Sequence, residues 1–324
     1  MVAVFDVAWV VAILAGVAGI VWGAEAFAEH LAPAAVALRV SSFALALLLA
    51  GAEPEELATG VVASLRHAPG VAFGDVIGAN IAMCLVALGV GAIIAPLPFT
   101  KRVRRYGLLA LPAGATCAVI AWGGHVNRIE GAVLVAAYLA YIGVIWAVEG
   151  KPPTIGEAGE LDDAREKAAV ATTRRRVGRD LLIIVAGIVA MSAGATLLVE
   201  GVRHLAHADT SQTGLGLTLI GFVTAFELVV LAWSAARRGA TEAVVAAVVG
   251  SFAYNATMTL GAAALARPLQ ITRPGQLHVP LAVMLAALTA ALVLAWRPAR
   301  LTRPAGIFLL ICYPAFIIGT ILTI

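Results

Sequence analysis

Glu53, Glu55 and Glu56 flank and follow Pro54 in the stretch AGAEPEELATG, residues 50–60. Between Arg39 and Arg66 lie 26 mostly apolar residues, and the three carboxylates fall at their middle. A segment of that length is long enough to cross a bilayer. A carboxylate at the bilayer centre costs on the order of 3 kcal/mol on insertion scales, so it must face a polar interior and a partner. No Lys or Arg stands at this depth. The same holds for Glu227, a little past the middle of the 27 residues between Asp209 and Arg237. The partner is then a proton, water or a bound cation.

Hard cations such as Ca2+ take six to eight oxygens from carboxylates, carbonyls and water. Glu55 and Glu227 supply two charges, enough to neutralise one divalent ion. Gly51, Pro54 and Gly60 loosen the first segment, and Pro54 removes a backbone donor, which frees nearby carbonyls to act as ligands. Thr224, Ser251 and Asn255 offer further oxygens. On an unbroken helix Glu53 and Glu56 would point about 160° and 100° away from Glu55. All three meet one ion only if the helix is broken; otherwise Glu53 and Glu56 line a vestibule or hold protons. Repulsion among clustered acids favours a proton on at least one of them. Asp75, in FGDVIG, reads either as an N-cap or as a ligand on the way to the site.

The elements that position these groups follow from composition. The chain has 324 residues, 61% apolar and 13% charged, against about half and about a quarter in soluble domains. Ten apolar stretches mark an all-α integral membrane protein: 7–28, 36–65, 71–95, 104–123, 129–149, 179–203, 213–238, 241–266, 277–296 and 304–323. The two longest are expected to tilt or break. Trp9, Trp122, Trp146, Trp233 and Trp296 lie near span ends, as interfacial anchors do.

Seventeen of the 22 Lys and Arg fall on one side of this topology and five on the other. The positive-inside bias then puts the charged 150–178 loop in the cytoplasm of an inner-membrane protein and both termini outside. The net charge of +3 serves topology and implies no nucleic-acid partner. Cys84, Cys117 and Cys312 all lie in apolar runs, without metal or disulfide spacing. No nucleophile–base pair, phosphate loop or cofactor fingerprint suggests an enzyme. His204 and His207 are three apart but lack further ligands. Glu25, Glu29 and Glu200 read as interfacial residues, and Gly74 and Gly78 as a G-x-x-x-G packing face.

Shifted by 172, the sequence meets itself. Glu55 lands on Glu227, Arg66 on Arg238, Gly78 on Gly250 and Leu88-Gly89 on Leu260-Gly261. A shift of 171 puts Glu29 on Glu200. The chain therefore divides into two five-span halves, 1–149 and 179–324, around the 150–178 loop. Because five is odd, the halves are expected to be inverted, with broken helices and a site at the midplane.

Residues 51–89 and 222–261 resemble the two signature repeats of the sodium/calcium exchanger family, whose pattern is roughly G-T-S-x-P-E-L followed by G-[DN]-x-x-G-S-N-x-x-N. The resemblance covers nearly the whole chain, and it makes Glu55 and Glu227 the expected calcium ligands. Thr224, Ser251 and Asn255 match oxygen-bearing positions that help to bind sodium in the family. Gly51, Ala52, Ala79 and Met83 stand where the first half would carry the same groups. The resemblance implies a secondary antiporter that extrudes Ca2+ against Na+ or H+ by alternating access, without a cofactor. The alternatives are a proton-coupled exchanger of another cation and a transport-inactive relative that senses cations. Its partners are inorganic cations and the lipid bilayer.

Overall fold

In the first half, four helices start for visible reasons. Pro54 and Pro69 open α2 (Pro54–Leu65) and α3 (Pro69–Ala82), where a missing N–H costs nothing and the fixed φ suits the first turn. The third is α5 (Lys101–Ala121), which Thr100 caps by accepting from Val103 N at 3.3 Å. Before α6 (Arg128–Glu149), Asn127 Oδ1 accepts from Ile129 N and Glu130 N, while Glu130 returns a bond to Asn127 N at 2.8 Å. That reciprocal arrangement is a capping box.

The computed structural model describes residues 2–37, 53–149, 174–206, 209–237 and 241–323. The chain begins with α1 (Val2–Ala37). Between α3 and α4 (Leu88–Ile94) one wide π-helical turn, Met83–Ala87, interrupts the α-helical ladder. The second half contains α7 (Arg174–Leu205), α8 (Asp209–Leu215), a π turn at Gly216–Ile220, α9 (Gly221–Thr224) and α10 (Phe226–Arg237). Then follow α11 (Thr241–Tyr254), a π turn at Asn255–Thr259, α12 (Leu260–Ala266), α13 (Gly275–Trp296) and α14 (Arg303–Thr323).

The offset seen in the sequence recurs in the backbone. Adding 172 to the bounds of α2, α3, the Met83–Ala87 π turn and α4 gives the bounds of α10, α11, the Asn255–Thr259 π turn and α12. The two-residue strand Leu97–Pro98 likewise maps onto Leu269–Gln270. Eight stretches among the described residues are long and apolar enough to span a membrane, so the protein is an all-helical, multi-pass membrane protein. Of the other two expected spans, 104–123 corresponds to α5, with four basic residues in its first turns. The 36–65 span lies partly outside the described residues, which include its end, α2. As expected for a long span, Ser211–Arg237 is interrupted, by the Gly216–Ile220 π turn and again at Ala225.

Helix crossings use glycine. A Cβ on Gly16 would stand 2.6 Å from Gly194 O, and one on Gly23 would stand 2.6 Å from Gly187 O. Helices α1 and α7 therefore cross antiparallel, as small residues allow when two backbones approach. The Gly74–Gly78 pair is a packing face, as its spacing suggested. A Cβ on Gly74 would lie 2.6 Å from Gly216 Cα, and Gly78 abuts the Leu217 backbone.

Loops assigned to the same side of the membrane meet in the structure. At one end Leu97–Pro98 pairs with Arg300–Leu301, Arg102 Nε donates to Glu149 at 2.7 Å, and Thr100 donates to Glu242 at 2.8 Å. At the other, His125–Val126 pairs with Leu269–Gln270, and Glu200 joins Arg66 and Arg203 at 3.3 and 3.2 Å. Glu200 is thus an ion-pair residue near a helix end. His204 stacks on Trp9 with ring centres 3.9 Å apart, while His207 lies outside the described residues.

Candidate cation site

Glu55 and Glu227 occupy equivalent places, the second residue of α2 and of α10. Each lies in the first turn of its helix, just after a residue that stands outside the helical ladder. Before α2, Glu53 is in an extended conformation (φ −111°, ψ 85°) and its carbonyl accepts from Leu57 N at 3.0 Å, so it stands outside the helix as its N-cap. Before α10, Ala225 interrupts the chain after α9. A carboxylate in the first turn is favoured by the helix dipole and the free N–H groups there. These breaks also resolve the facing problem, because Glu53 is released from the helical register that would have turned it away from Glu55.

The carboxylates of Glu53, Glu55, Glu56 and Glu227 are electrostatic neighbours, and Asp75 adjoins Glu56. Glu56 and Asp75 are fully buried, and Glu53 and Glu55 nearly so. Thr224, Ser251 and Asn255 are buried with them, and Glu227 is half-buried. Gly51 lies outside the described residues. Seven of the eight expected site residues can therefore be placed, and they come together in the interior.

Two hydrogen bonds join the halves across this cluster. Ser251 Oγ donates to Glu53 Oε1. Thr224 Oγ1 donates to Asp75 Oδ1 at 2.9 Å and also approaches the Ile220 carbonyl at 3.1 Å. In both cases a hydroxyl from the second half meets an acid from the first. Asn255, in the first position of its π turn, accepts at Oδ1 from Thr259 Oγ1 at 3.2 Å. The wide turn displaces the ladder where an amide enters the site, a frequent use of such turns.

Asp75 does not cap a helix, contrary to one of its two expected roles. Helix α3 begins at Pro69 with Ala68 as its N-cap, which leaves Asp75 in mid-helix facing Thr224. The local motif misled because Asp followed by an apolar run looks like a helix start, whereas Pro69 had already supplied one.

Asn80 was not singled out from the sequence, yet it is fully buried and bridges the halves. Its Nδ2 donates to Phe252 O at 3.3 Å and approaches Met284 Sδ at 3.5 Å. The available signal was a lone amide inside a long apolar run, since a buried polar group needs a partner. Tyr254 was also missed; it is buried beside Tyr138, with ring centres 5.2 Å apart, and neighbours Glu53, Glu55 and Glu56.

Five carboxylates with hydroxyl and amide oxygens in a membrane-embedded interior make a donor set for hard cations. At the positions related by 172, Ala79 and Met83 are fully buried and bring no oxygen where Ser251 and Asn255 do.

Similarity to known proteins extends over most of the chain. The family described as "Sodium/calcium exchanger protein" matches residues 8–147 and 180–322. The sodium/calcium exchanger MaX1 of Methanosarcina acetivorans is 25% identical, over 94% of this chain and 96% of that one. An uncharacterised membrane protein of Methanocaldococcus jannaschii is 29% identical over 71% of this chain and 70% of its own. Among solved structures, the sodium-calcium exchanger NCX_Mj soaked with Na+ and Sr2+ superposes with a TM-score of 0.60 at 25% identity, covering 95% and 97% of the two chains.

Proposed function

The chain belongs to the sodium/calcium exchanger family of membrane cation antiporters, and from that premise we propose that it moves Ca2+ through one central site shared by Glu55 and Glu227. The observation that carries this reading is their equivalence. Each is the second residue of its helix, 172 residues apart, and the two carboxylates are electrostatic neighbours. Thr224, Ser251 and Asn255, with carbonyls near Gly51 and the carboxylates of Glu53 and Glu56, complete the coordination.

The halves 1–149 and 179–324 act as inverted five-helix repeats around the 150–178 loop. The antiparallel crossing of α1 with its counterpart α7 supports the inversion. Residue 16 meets 194 and residue 23 meets 187, and a shift of 171 interchanges the two contacts. Orientation follows the basic residues, with the 150–178 loop cytoplasmic and both termini outside. Cysteine labelling at Ala158 and at an appended C-terminal residue is expected to show opposite accessibility in intact cells. Labelling of both from one side would overturn the inverted arrangement.

Coupling follows from charge. Two ionised carboxylates without an ion are costly to carry through a low-dielectric barrier. The same site filled with Ca2+, monovalent cations or protons crosses at far lower cost, so the protein exchanges ions instead of leaking them, by alternating access. The counter-ion is Na+ or H+, and the buried Ala79 and Met83 favour H+. Ca2+ flux in proteoliposomes, driven in turn by imposed Na+ and H+ gradients, tests both points. Steep, cooperative Na+ activation with a flat pH profile would refute proton coupling, and absence of Ca2+ movement under either gradient would refute the exchanger reading.

A further inference from the structure

One helix pair of the second half lacks a contact that its counterpart in the first half has. The free ends of α5 and α6 are clamped together, because Arg102 Nε donates to Glu149 at 2.7 Å and to the Tyr106 hydroxyl at 2.8 Å. Helices α13 and α14 are the equivalent pair. Lys101 and Gly275 begin α5 and α13, while Glu149 and Thr323 end α6 and α14, so the offset here is 174. It carries Arg102 to Gln276, Tyr106 to Pro280 and Glu149 to Thr323. No ion pair can form among these three.

Where the clamp is missing, a groove opens. A cavity of about 820 Å³ lies between α13 and α14, and Gln276, Pro280 and Thr323 all line it. It extends from Gly275 to Ala290 on α13 and from Phe308 to Thr323 on α14. By helical rise that is roughly 20 Å, more than one leaflet of a hydrocarbon core about 30 Å thick. The walls are mostly apolar. Ala286, Ala315 and Gly319 keep them low, and a Cβ on Gly319 would meet nothing within 4 Å. Val279 and Phe308, both exposed, form a rim that faces the bilayer. Leu85 forms part of the deep wall; it belongs to the Met83–Ala87 π turn, which packs against α10.

We propose that this groove holds an acyl chain of an anionic phospholipid whose phosphate rests on Arg273. The length, the apolar walls and the opening towards the bilayer suit a hydrocarbon chain. The mouth suits its head. Arg273 is exposed there and has no acidic partner among the described residues, whereas Arg66 and Arg203 at the same end of the molecule share Glu200. A guanidinium at the membrane surface attracts anionic lipid, and its planar fork matches phosphate. Gln276 and Thr323 add neutral hydrogen-bonding groups beside it. The lipid thus takes the place of the missing clamp. The first half needs none, since Glu149 already answers Arg102. A chain in the groove bears on the Met83–Ala87 π turn and, through it, on the helix that carries Glu227.

The test uses the full chain, stripped of lipid in detergent, with dioleoyl phosphatidylglycerol and dioleoyl phosphatidylcholine as probes. Native mass spectrometry counts bound lipids and protein chains together, and circular dichroism checks folding. Wild type is expected to retain phosphatidylglycerol with about fivefold preference over phosphatidylcholine. Arg273→Gln should remove the preference and still bind either lipid. Gly319→Phe, which fills open space, should lose both; if it does not fold, Ala315→Leu takes its place. Equal retention of the two lipids by wild type would overturn the proposal, as would a preference that survives Arg273→Gln. Wild-type retention in the filled variant would place the lipid elsewhere and overturn the groove. A lipid-free dimer that Gly319→Phe breaks would also overturn it, by giving the groove to a second copy of the chain.

Discussion

Helices α2 and α10 begin 172 residues apart and each sets a glutamate in its first turn, but the surroundings of the two glutamates differ. Around Glu55 the first half places further acids, Glu53, Glu56 and Asp75. Their counterparts by the same offset are Ala225, Leu228 and Ala247. Around Glu227 the second half places neutral oxygens, Thr224, Ser251 and Asn255, opposite Ala52, Ala79 and Met83. Charge has collected in one half and uncharged oxygens in the other. The hydroxyls of the second half then serve the acids of the first, Ser251 to Glu53 and Thr224 to Asp75. A repeat can keep its backbone symmetry while its chemistry drifts apart, provided the two halves meet at one site and compensate for each other.

The largest effect that would test this division is on the shared pair. Glu55→Gln and Glu227→Gln are each expected to reduce Ca2+ flux to that of empty vesicles while the protein still folds. Equal loss on both sides means that the glutamates remain equivalent despite their unlike surroundings. Wild-type flux in either variant would dissolve the pair.

Next in size is the symmetry of packing, where the halves should be alike. Gly16 and Gly187 are related by 171 and meet Gly194 and Gly23 in the same way. A branched side chain forces backbones apart, so Gly16→Val and Gly187→Val should each destabilise by about 1–3 kcal/mol, and by similar amounts. Thermal unfolding in detergent reads the difference; a large effect from only one would show that the crossing is not two-fold.

A smaller effect concerns the exchange of hydrogen bonds between the halves. Ser251→Ala and Glu53→Gln, measured singly and together, should show a coupling of about 1 kcal/mol in stability, within the range for residues in direct contact. Additive effects would mean that the contact contributes nothing. The smallest expected change comes from restoring an oxygen to the first half. Met83→Asn copies Asn255 at the same point of the equivalent π turn, and it should steepen activation by Na+ modestly while leaving Ca2+ transport in place. Dependence on Na+ that does not change would indicate that ligands of the second half alone decide the counter-ion.

Much of this architecture is legible in the order of residues because a bilayer makes simple demands. Apolar stretches of a fixed length, basic residues between them and carboxylates where none should be are all one-dimensional signals, and they suffice for eight of the ten expected spans, the offset of 172 and the buried acids at its centre. Pro54 even announces the break that frees Glu53 from helical register. The partners of those residues are a different matter. That Thr224 would reach Asp75, Ser251 reach Glu53 and Asn80 reach Phe252 depends on how close two helices from opposite halves come, and so on Gly74 and Gly78 lying against the backbone of 216–221. The sequence states which side chains carry oxygen. Contacts between residues roughly 150–200 positions apart are decided only when the backbones dock, because no local pattern encodes the distance between them.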